Sequence, residues 1–317
     1  MQCPHDAEVF QAARPRLEAI AYRLLGSAGD AEDAVQDTYL RWLAADREQI
    51  RTPEAWLTKV LTNICLNQLT SARARRETYV GQWLPEPVLA GDPMLGPAET
   101  AEQRESVSIA VLTLMERLSP KERVVYVLRE AFGYPHSEIA QILDISEANS
   151  QQIHRRARQH VAEGRARRTV DAAAARRIVE EFLAATLSGD TAPLLKLLAD
   201  GAVSIADGGG KVHARTTPLV GALAIARFLR SVFRPTPARR ALVHSLVGGS
   251  VQMHVAEVNG GPAVLFTTGG QVVGVLSPEV TADGITALHI QANPDKLERI
   301  SQQWAAAERT EPYATVW

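Results

Sequence analysis

Residues 137–161, SEIAQILDISEANSQQIHRRARQHV, restrict the fold more than any other stretch of the chain. Ile139, Ala140 and Leu143 make the apolar face of a short helix, Asp144-Ile145-Ser146 forms a tight turn, and Ser146 caps a second helix. Asp144 replaces the usual turn glycine, and aspartate tolerates the left-handed region better than most residues. On the second helix Ile153, Ala157 and Val161 share the buried side, which leaves Asn149, Gln151, Gln152, Arg155 and Arg156 facing out. His154 fits the core or the outward face, the core being the simpler place. Such a pair is the build of a helix-turn-helix that enters the major groove. Arginine suits guanine O6 and N7, Asn and Gln suit adenine N6 and N7, and each of them also suits phosphate.

At 317 residues the chain needs two or three domains. A net charge of −2 does not argue for nucleic acid, but its distribution does. Residues 146–168 carry six arginines against Glu147 and Glu163, whereas residues 29–37 carry Asp30, Glu32, Asp33 and Asp37 and no cation. Opposite charge on separate segments suits separate partners. Cys3 and Cys65 are far apart and have no metal spacing, so no metal and no cofactor is expected. No signal peptide opens the sequence and no apolar run reaches membrane-spanning length, which points to the cytoplasm and to no membrane partner.

In the first block, residues 6–80, Leu17, Ile20, Ala21, Leu24 and Leu25 recur at helical spacing, and Gly26 is placed to end that helix. Asp30 is then positioned to cap the next, whose inward residues are Ala31, Ala34, Val35, Thr38 and Trp42. Thr52-Pro53-Glu54 starts a third helix that runs into the basic stretch ending at Arg76. Residues 81–105 hold too many Gly and Pro for a helix and read as a linker in which Trp83 and Leu84 invite docking. The second block, 106–168, contains the capping box Ser119-Pro120-Lys121-Glu122 ahead of the helix-turn-helix.

Together these residues resemble the extracytoplasmic-function sigma factors of bacterial RNA polymerase. DAEDAVQDTYLRW at 30–42 is similar to the family's core-polymerase-binding helix, PEAWLTKVLTNICLNQL at 53–69 to the helix that melts and reads the −10 element, and 118–158 to the −35 reader. The resemblance implies an all-α sigma region 2 over 6–80 and a region 4 over 106–168. It also implies that core RNA polymerase (β′ clamp and β flap) and promoter DNA are the partners. By position, Asp33, Gln36, Asp37 and Arg41 would meet the β′ clamp. Lys59, Asn63, Asn67, Arg73, Arg75 and Arg76 would handle the −10 strand, and Asn149, Gln151, Gln152, Arg155 and Arg156 the −35 duplex. Ser150 stands where many members carry an apolar residue.

Beyond residue 172 come helices at 178–187, 194–198 and 222–233, then strand-like runs at 203–206, 240–247, 251–258, 262–268, 271–277 and 284–291, an α+β pattern. This stretch, 172–300, resembles the SnoaL-like cones fused to sigma-J-type factors, with 301–317 as a tail. WLPEP at 83–87, DGGGK at 207–211 and NPDKL at 293–297 match signatures of that group. The implied regulatory contacts are Trp83, Leu84 and Pro85, Asp207, Gly208, Gly209, Gly210 and Lys211, and Asn293, Pro294, Asp295 and Lys296. Contact between the cone and the sigma regions or their linker would replace a separate anti-sigma factor. A cone of this kind encloses a pocket, for which Asp207, Lys211, His213, His244, His254 and His289 are the candidates. The rival reading is a SnoaL-type cyclase or isomerase with a DNA-binding module attached. No His–Asp pair is fixed by local spacing, so no catalytic residue is assigned.

Overall fold

Gly26, at φ +69°, stops helix α1 (Pro4–Leu25), and Ser27 opens α2 (Ala28–Ala44). The Ser27 hydroxyl accepts the Asp30 amide at 3.1 Å, so the cap is Ser27 rather than Asp30. Asp30 lies inside the first turn, where its charge suits the helix dipole. The computed structural model describes residues 4–77, 79–96, 100–164, 170–234, 236–237, 241, 248–307 and 311–316. Two bodies make up the chain. One comprises residues 1–78 and 91–165, the other 79–90 and 166–317.

The helical body packs α1 and α2 on α3 (Pro53–Glu77), burying Leu17, Ile20, Ala31, Trp42, Leu57 and Leu61. After α4 (Ala101–Glu105), Ser108 caps α5 (Ile109–Met115). The Ser119–Glu122 capping box starts α6 (Pro120–Tyr126), which passes into a single π turn, Val127–Ala131. Next come α7 (His136–Leu143) and α8 (Glu147–Gly164). Asp144 between them is left-handed, at φ +52° and ψ +50°.

Two buried arginines tie this body together. The Arg23 guanidinium, in α1, donates to Leu95 O at 2.6 Å and to Ser106 Oγ at 2.8 Å, and lies 5.1 Å from the Phe132 ring centroid. Arg123 in α6 donates twice to the Arg23 carbonyl, both at 3.3 Å, and pairs with Glu116. Burial lowers the Arg23 guanidinium to about 10 and that of Arg123 to about 9. Residues 91–105 therefore belong to the helical body, although the sequence reads 81–105 as one linker.

In the second body, helices α9 (Ala172–Ser188), α10 (Thr191–Leu197) and α11 (Ala222–Phe233) cover one face of a sheet. Its strands are β1 (Leu198–Asp207), β2 (Leu219–Val220), β3 (Val251–Val258), β4 (Gly261–Thr268), β5 (Gln271–Thr281), β6 (Gly284–Gln291) and β7 (Ala314–Val316), in the order β2-β1-β6-β5-β4-β3-β7. β1 runs parallel to β6 and the other described pairs are antiparallel, so the sheet is mixed. Asn259-Gly260 and Gly269-Gly270, all at positive φ, close the β3–β4 and β4–β5 hairpins.

Met253, Val264, Leu276 and Leu288 pack against Val179, Phe182, Ile225 and Leu229 of the helices and fill the interior of the cone. On the opposite face Leu265 and Val275 meet Leu297, Ile300 and Trp304, the last two from the C-terminal helix Glu298–Ala306. The final residues thus belong to the cone, because Trp304 is buried and β7 pairs with β3. Among the described residues, the pocket candidates have different surroundings. Asp207 faces residues 79–84, His254 packs edge-on to Trp304 at 4.9 Å, and Lys211 and His213 line a surface cleft. The strand expected at 240–247, with His244, lies outside the described residues.

His289 sits on β6 between Ile205 and Ser277, and burial pushes its imidazole down to about 4. Well above pH 6.5 it is neutral whether the chain is folded or unfolded and contributes nothing to pH dependence. Below that, the unfolded chain takes a proton that the folded one refuses, so stability falls by about 3 kcal/mol by pH 4. Urea unfolding of the wild type and of His289→Gln at pH 7 and pH 4 measures this. The variant is expected to lose that share of the pH dependence, and an unchanged pH profile would refute the assignment.

Candidate functional site

On α2 the periodicity that buries Ala31, Ala34, Val35 and Thr38 turns Asp33, Gln36, Asp37 and Arg41 to solvent, beside a Leu40 that is 55% exposed. Four polar side chains around one exposed leucine make a face suited to a protein partner. On α3, Asn63 and Asn67 are exposed. The helix continues through 73–76, and the side chains of Arg73, Arg75 and Arg76 lie outside the described part.

Lys59 is placed differently. Its ammonium donates to Asp144 Oδ1 at 2.8 Å and to Gln141 O at 2.9 Å, both at the helix-turn-helix turn. One residue earlier, the Thr58 hydroxyl meets the Tyr134 hydroxyl at 3.1 Å. The carboxylate of that pair is mostly exposed, so the pair adds at most about 1 kcal/mol.

On α8, Asn149, Gln151, Gln152, Arg155 and Arg156 are all exposed, while Ile153, Ala157 and Val161 are buried. Ser150 is fully buried, and its hydroxyl meets His136 Nδ1 at 2.9 Å, which explains a polar residue at an apolar position. His154 belongs to the core side, with Nε2 2.7 Å from Glu130 Oε1. That contact, more than the opposing burial, holds the Glu130 carboxyl below its ordinary range.

In the second body one carboxylate organises its surroundings. Asp207 ends β1 and is completely buried. Oδ1 accepts the Tyr79 hydroxyl at 2.7 Å and the Gly209 amide at 3.0 Å. Oδ2 accepts the Leu84 amide at 2.9 Å, Lys296 Nζ at 2.7 Å and Gln291 Nε2 at 3.3 Å. Five donors on one carboxylate offset much of the cost of burying its charge. Lys296 also donates to Leu84 O at 2.7 Å and lies 4.3 Å from the Trp83 ring centroid. Asn293 Nδ2 donates to the Tyr79 hydroxyl at 2.9 Å. Desolvation, and then the bond to Asp207, push the Tyr79 phenol well above its ordinary value.

The glycines of DGGGK have distinct steric reasons. A Cβ on Gly209, already at φ +60°, would overlap the Asn293 amide, and one on Gly208 would overlap the Val212 carbonyl. Further along, Val88 N donates to Asn259 Oδ1 and Asn259 N to Val88 O, both at 3.0 Å, and Ala90 N donates to Glu257 O at 3.1 Å. Leu84, Pro85, Glu86, Pro87 and Val88 are all buried, and Trp83 is only half-buried. The segment is therefore held by its backbone and by buried Leu84 and Val88, with Trp83 against Lys296. Of the expected regulatory residues, Trp83, Leu84, Pro85, Asp207, Gly209, Asn293 and Lys296 meet at this carboxylate, and Lys211 pairs with Asp295 at 2.7 Å on the outside. Pro294 only starts the short turn Pro294–Lys296. Sequence reasoning missed Tyr79, Gln291 and Asn259.

Residues 9–75 match the profile of Sigma-70 region 2 and residues 108–161 that of Sigma-70 region 4. The ECF RNA polymerase sigma factor SigJ of Mycobacterium tuberculosis is 36% identical over 92% of this chain and 93% of its own length. The chain belongs to the extracytoplasmic-function sigma factors. The probable ECF sigma factor SigI of M. tuberculosis is 31% identical over 93% of the chain and 96% of its own. The crystal structure of M. tuberculosis SigJ superposes with a TM-score of 0.71 at 30% identity, covering 92% of this chain and 97% of that one.

As a sigma factor the protein binds core RNA polymerase and promoter DNA and directs promoter-specific initiation of transcription. Its family consists of transcription factors, not enzymes, so the cyclase or isomerase reading is set aside. An all-α region 2 and region 4 precede an α+β domain with a mixed sheet. Among the described residues no helix is long and apolar enough to cross a membrane.

Proposed function

We propose that this sigma factor is controlled in cis through residues 79–90, the piece of chain between its two DNA-reading regions, with no separate anti-sigma factor required. The supporting observation is the Asp207 carboxylate, which takes the Leu84 amide and the Tyr79 hydroxyl on its two oxygens. While those bonds hold, the segment is committed to the C-terminal domain and cannot extend to let regions 2 and 4 reach the −10 and −35 elements together. Lys59, a −10 residue in this reading, is meanwhile occupied at Asp144 by a pair weak enough to exchange for DNA. Polymerase and promoter would bind the released state better and shift the population toward it.

Within the same reading, Asp33, Gln36, Asp37 and Arg41 meet the β′ clamp and region 4 meets the β flap. Asn63, Asn67, Arg73, Arg75 and Arg76 join Lys59 on the −10 strand, and Asn149, Gln151, Gln152, Arg155 and Arg156 take the −35 duplex. The protein works in the cytoplasm, beside polymerase. Arg155→Ala is expected to weaken −35 binding by about 1–3 kcal/mol. Gel-shift titration across operator variants tells base from phosphate: loss at one base-pair position marks base reading, and uniform loss marks a phosphate contact.

Run-off transcription with core polymerase and a randomised promoter library tests control in cis. The full chain, a chain ending at residue 168 and Asp207→Asn are compared. Different transcript yields from the three are expected. Equal yields would sink the idea of control while leaving the sigma activity in place.

A further inference from the structure

Next to the Asp207 site, on the outer side of the same loop, lies a cleft of about 270 Å³. Its walls come from two pieces of chain, Val80-Gly81 at the start of the docked segment, and Ala206 near the end of β1 with Gly208 and residues 210–216 of the loop that follows. Gln82 Nε2 donates to Thr216 O at 3.1 Å, and a Cβ on Gly210 would sit 3.1 Å from Val80 Cβ, so the two walls close on each other. Lys211, His213 and Arg215 bring cationic or proton-binding groups to the lining, and no carboxylate is among the described residues that line it. Val80 and Val212 give it an apolar part and are 61% and 45% exposed, a cost to the protein alone that an occupant would relieve. Arg215 lies 5.9 Å from the Phe228 ring centroid, and Lys211 pairs with Asp295 in an exposed ion pair.

We propose that this cleft binds a small organic anion, a carboxylate or phosphate monoester on a short apolar body. A guanidinium presents a fork that fits either head group, and Val80 with Val212 cover the body. The volume falls just below the usual range of ligand pockets, roughly 300 to 1,000 Å³, so a dinucleotide or a polycyclic substrate does not fit. An occupant touches both the docked segment and the loop, so it favours the docked state by mass action. That consequence rests on control in cis, whereas the binding itself does not.

Calorimetric titration of the full chain with hexanoate, phenyl phosphate, inorganic phosphate and 1-hexanol tests the site without polymerase. Hexanoate or phenyl phosphate is expected to saturate one site with a Kd below about 1 mM. The Arg215→Gln/His213→Gln double variant, both side chains being exposed and its melting midpoint being checked first, is expected to bind at least about tenfold more weakly. Amide exchange at Val80 and Gly81 should slow when the site fills. No saturation by either organic anion, or native-like binding by the double variant, overturns the proposal. So does 1-hexanol or inorganic phosphate binding as tightly as the organic anions, or unchanged exchange at Val80. The same probe is then added to the run-off assay. Binding without any change in transcript keeps the site and removes its regulatory role, and a change seen only in the full chain supports both.

Discussion

Asp207→Ala is expected to release residues 79–90 and destabilise the C-terminal domain by about 3–5 kcal/mol, the usual loss when one partner of a buried ion pair is removed. The substitution leaves the Lys296 ammonium, only 14% exposed, without its carboxylate and frees the Tyr79 hydroxyl and the Leu84 and Gly209 amides. Hydrogen exchange at Leu84 is the direct measure. It should rise by orders of magnitude while amides in β4 and β5 change far less. Asp207→Asn keeps one acceptor oxygen and presents an NH₂ to donors that need the other, so it should fall between the alanine variant and the native chain. A Leu84 amide as protected in Asp207→Ala as in the wild type would show that the carboxylate does not hold the segment.

Arg123→Ala should cost the helical body a similar amount, about 3–5 kcal/mol. The loss removes both donors from the Arg23 carbonyl and the cation from Glu116, at a point where α6 of region 4 rests on α1 of region 2. Arg123→Met, which refills the volume with apolar atoms and also removes the buried charge, should cost less. Its midpoint against that of Arg123→Ala separates packing from pairing. Urea denaturation followed by Trp42 and Trp56, whose ring centroids lie 5.6 Å apart in region 2, reports on this body. If both variants unfold at the native midpoint, the two arginines do not hold the regions together.

Much of this was legible because the residues act through their immediate neighbours. The Ser119–Glu122 box, the left-handed Asp144, and the α8 stripe of Ile153, Ala157 and Val161 follow from periods and caps spanning a few residues. The outward set on α2 follows from the same period. Arg23 did not announce itself. It stands among Tyr22, Leu24 and Leu25 in a helix, and only carbonyls seventy and more residues away show why a cation is buried there. Gln291 and Tyr79 are likewise single polar residues whose partner lies at a distance that no local pattern encodes. The parallel pairing of β1 with β6 was hidden because a strand's composition does not name its neighbour. Trp83 and Leu84 both invited docking; Leu84 is buried, and Trp83 stays half-buried against Lys296.

The path of the chain has a thermodynamic corollary. It leaves the helical body after residue 78, spends twelve residues, 79–90, in the other body, and returns at Gly91. Melting the sheet therefore slackens a tether in the middle of the helices' own sequence. A calorimetric scan is therefore expected to show the two bodies melting as coupled rather than independent transitions.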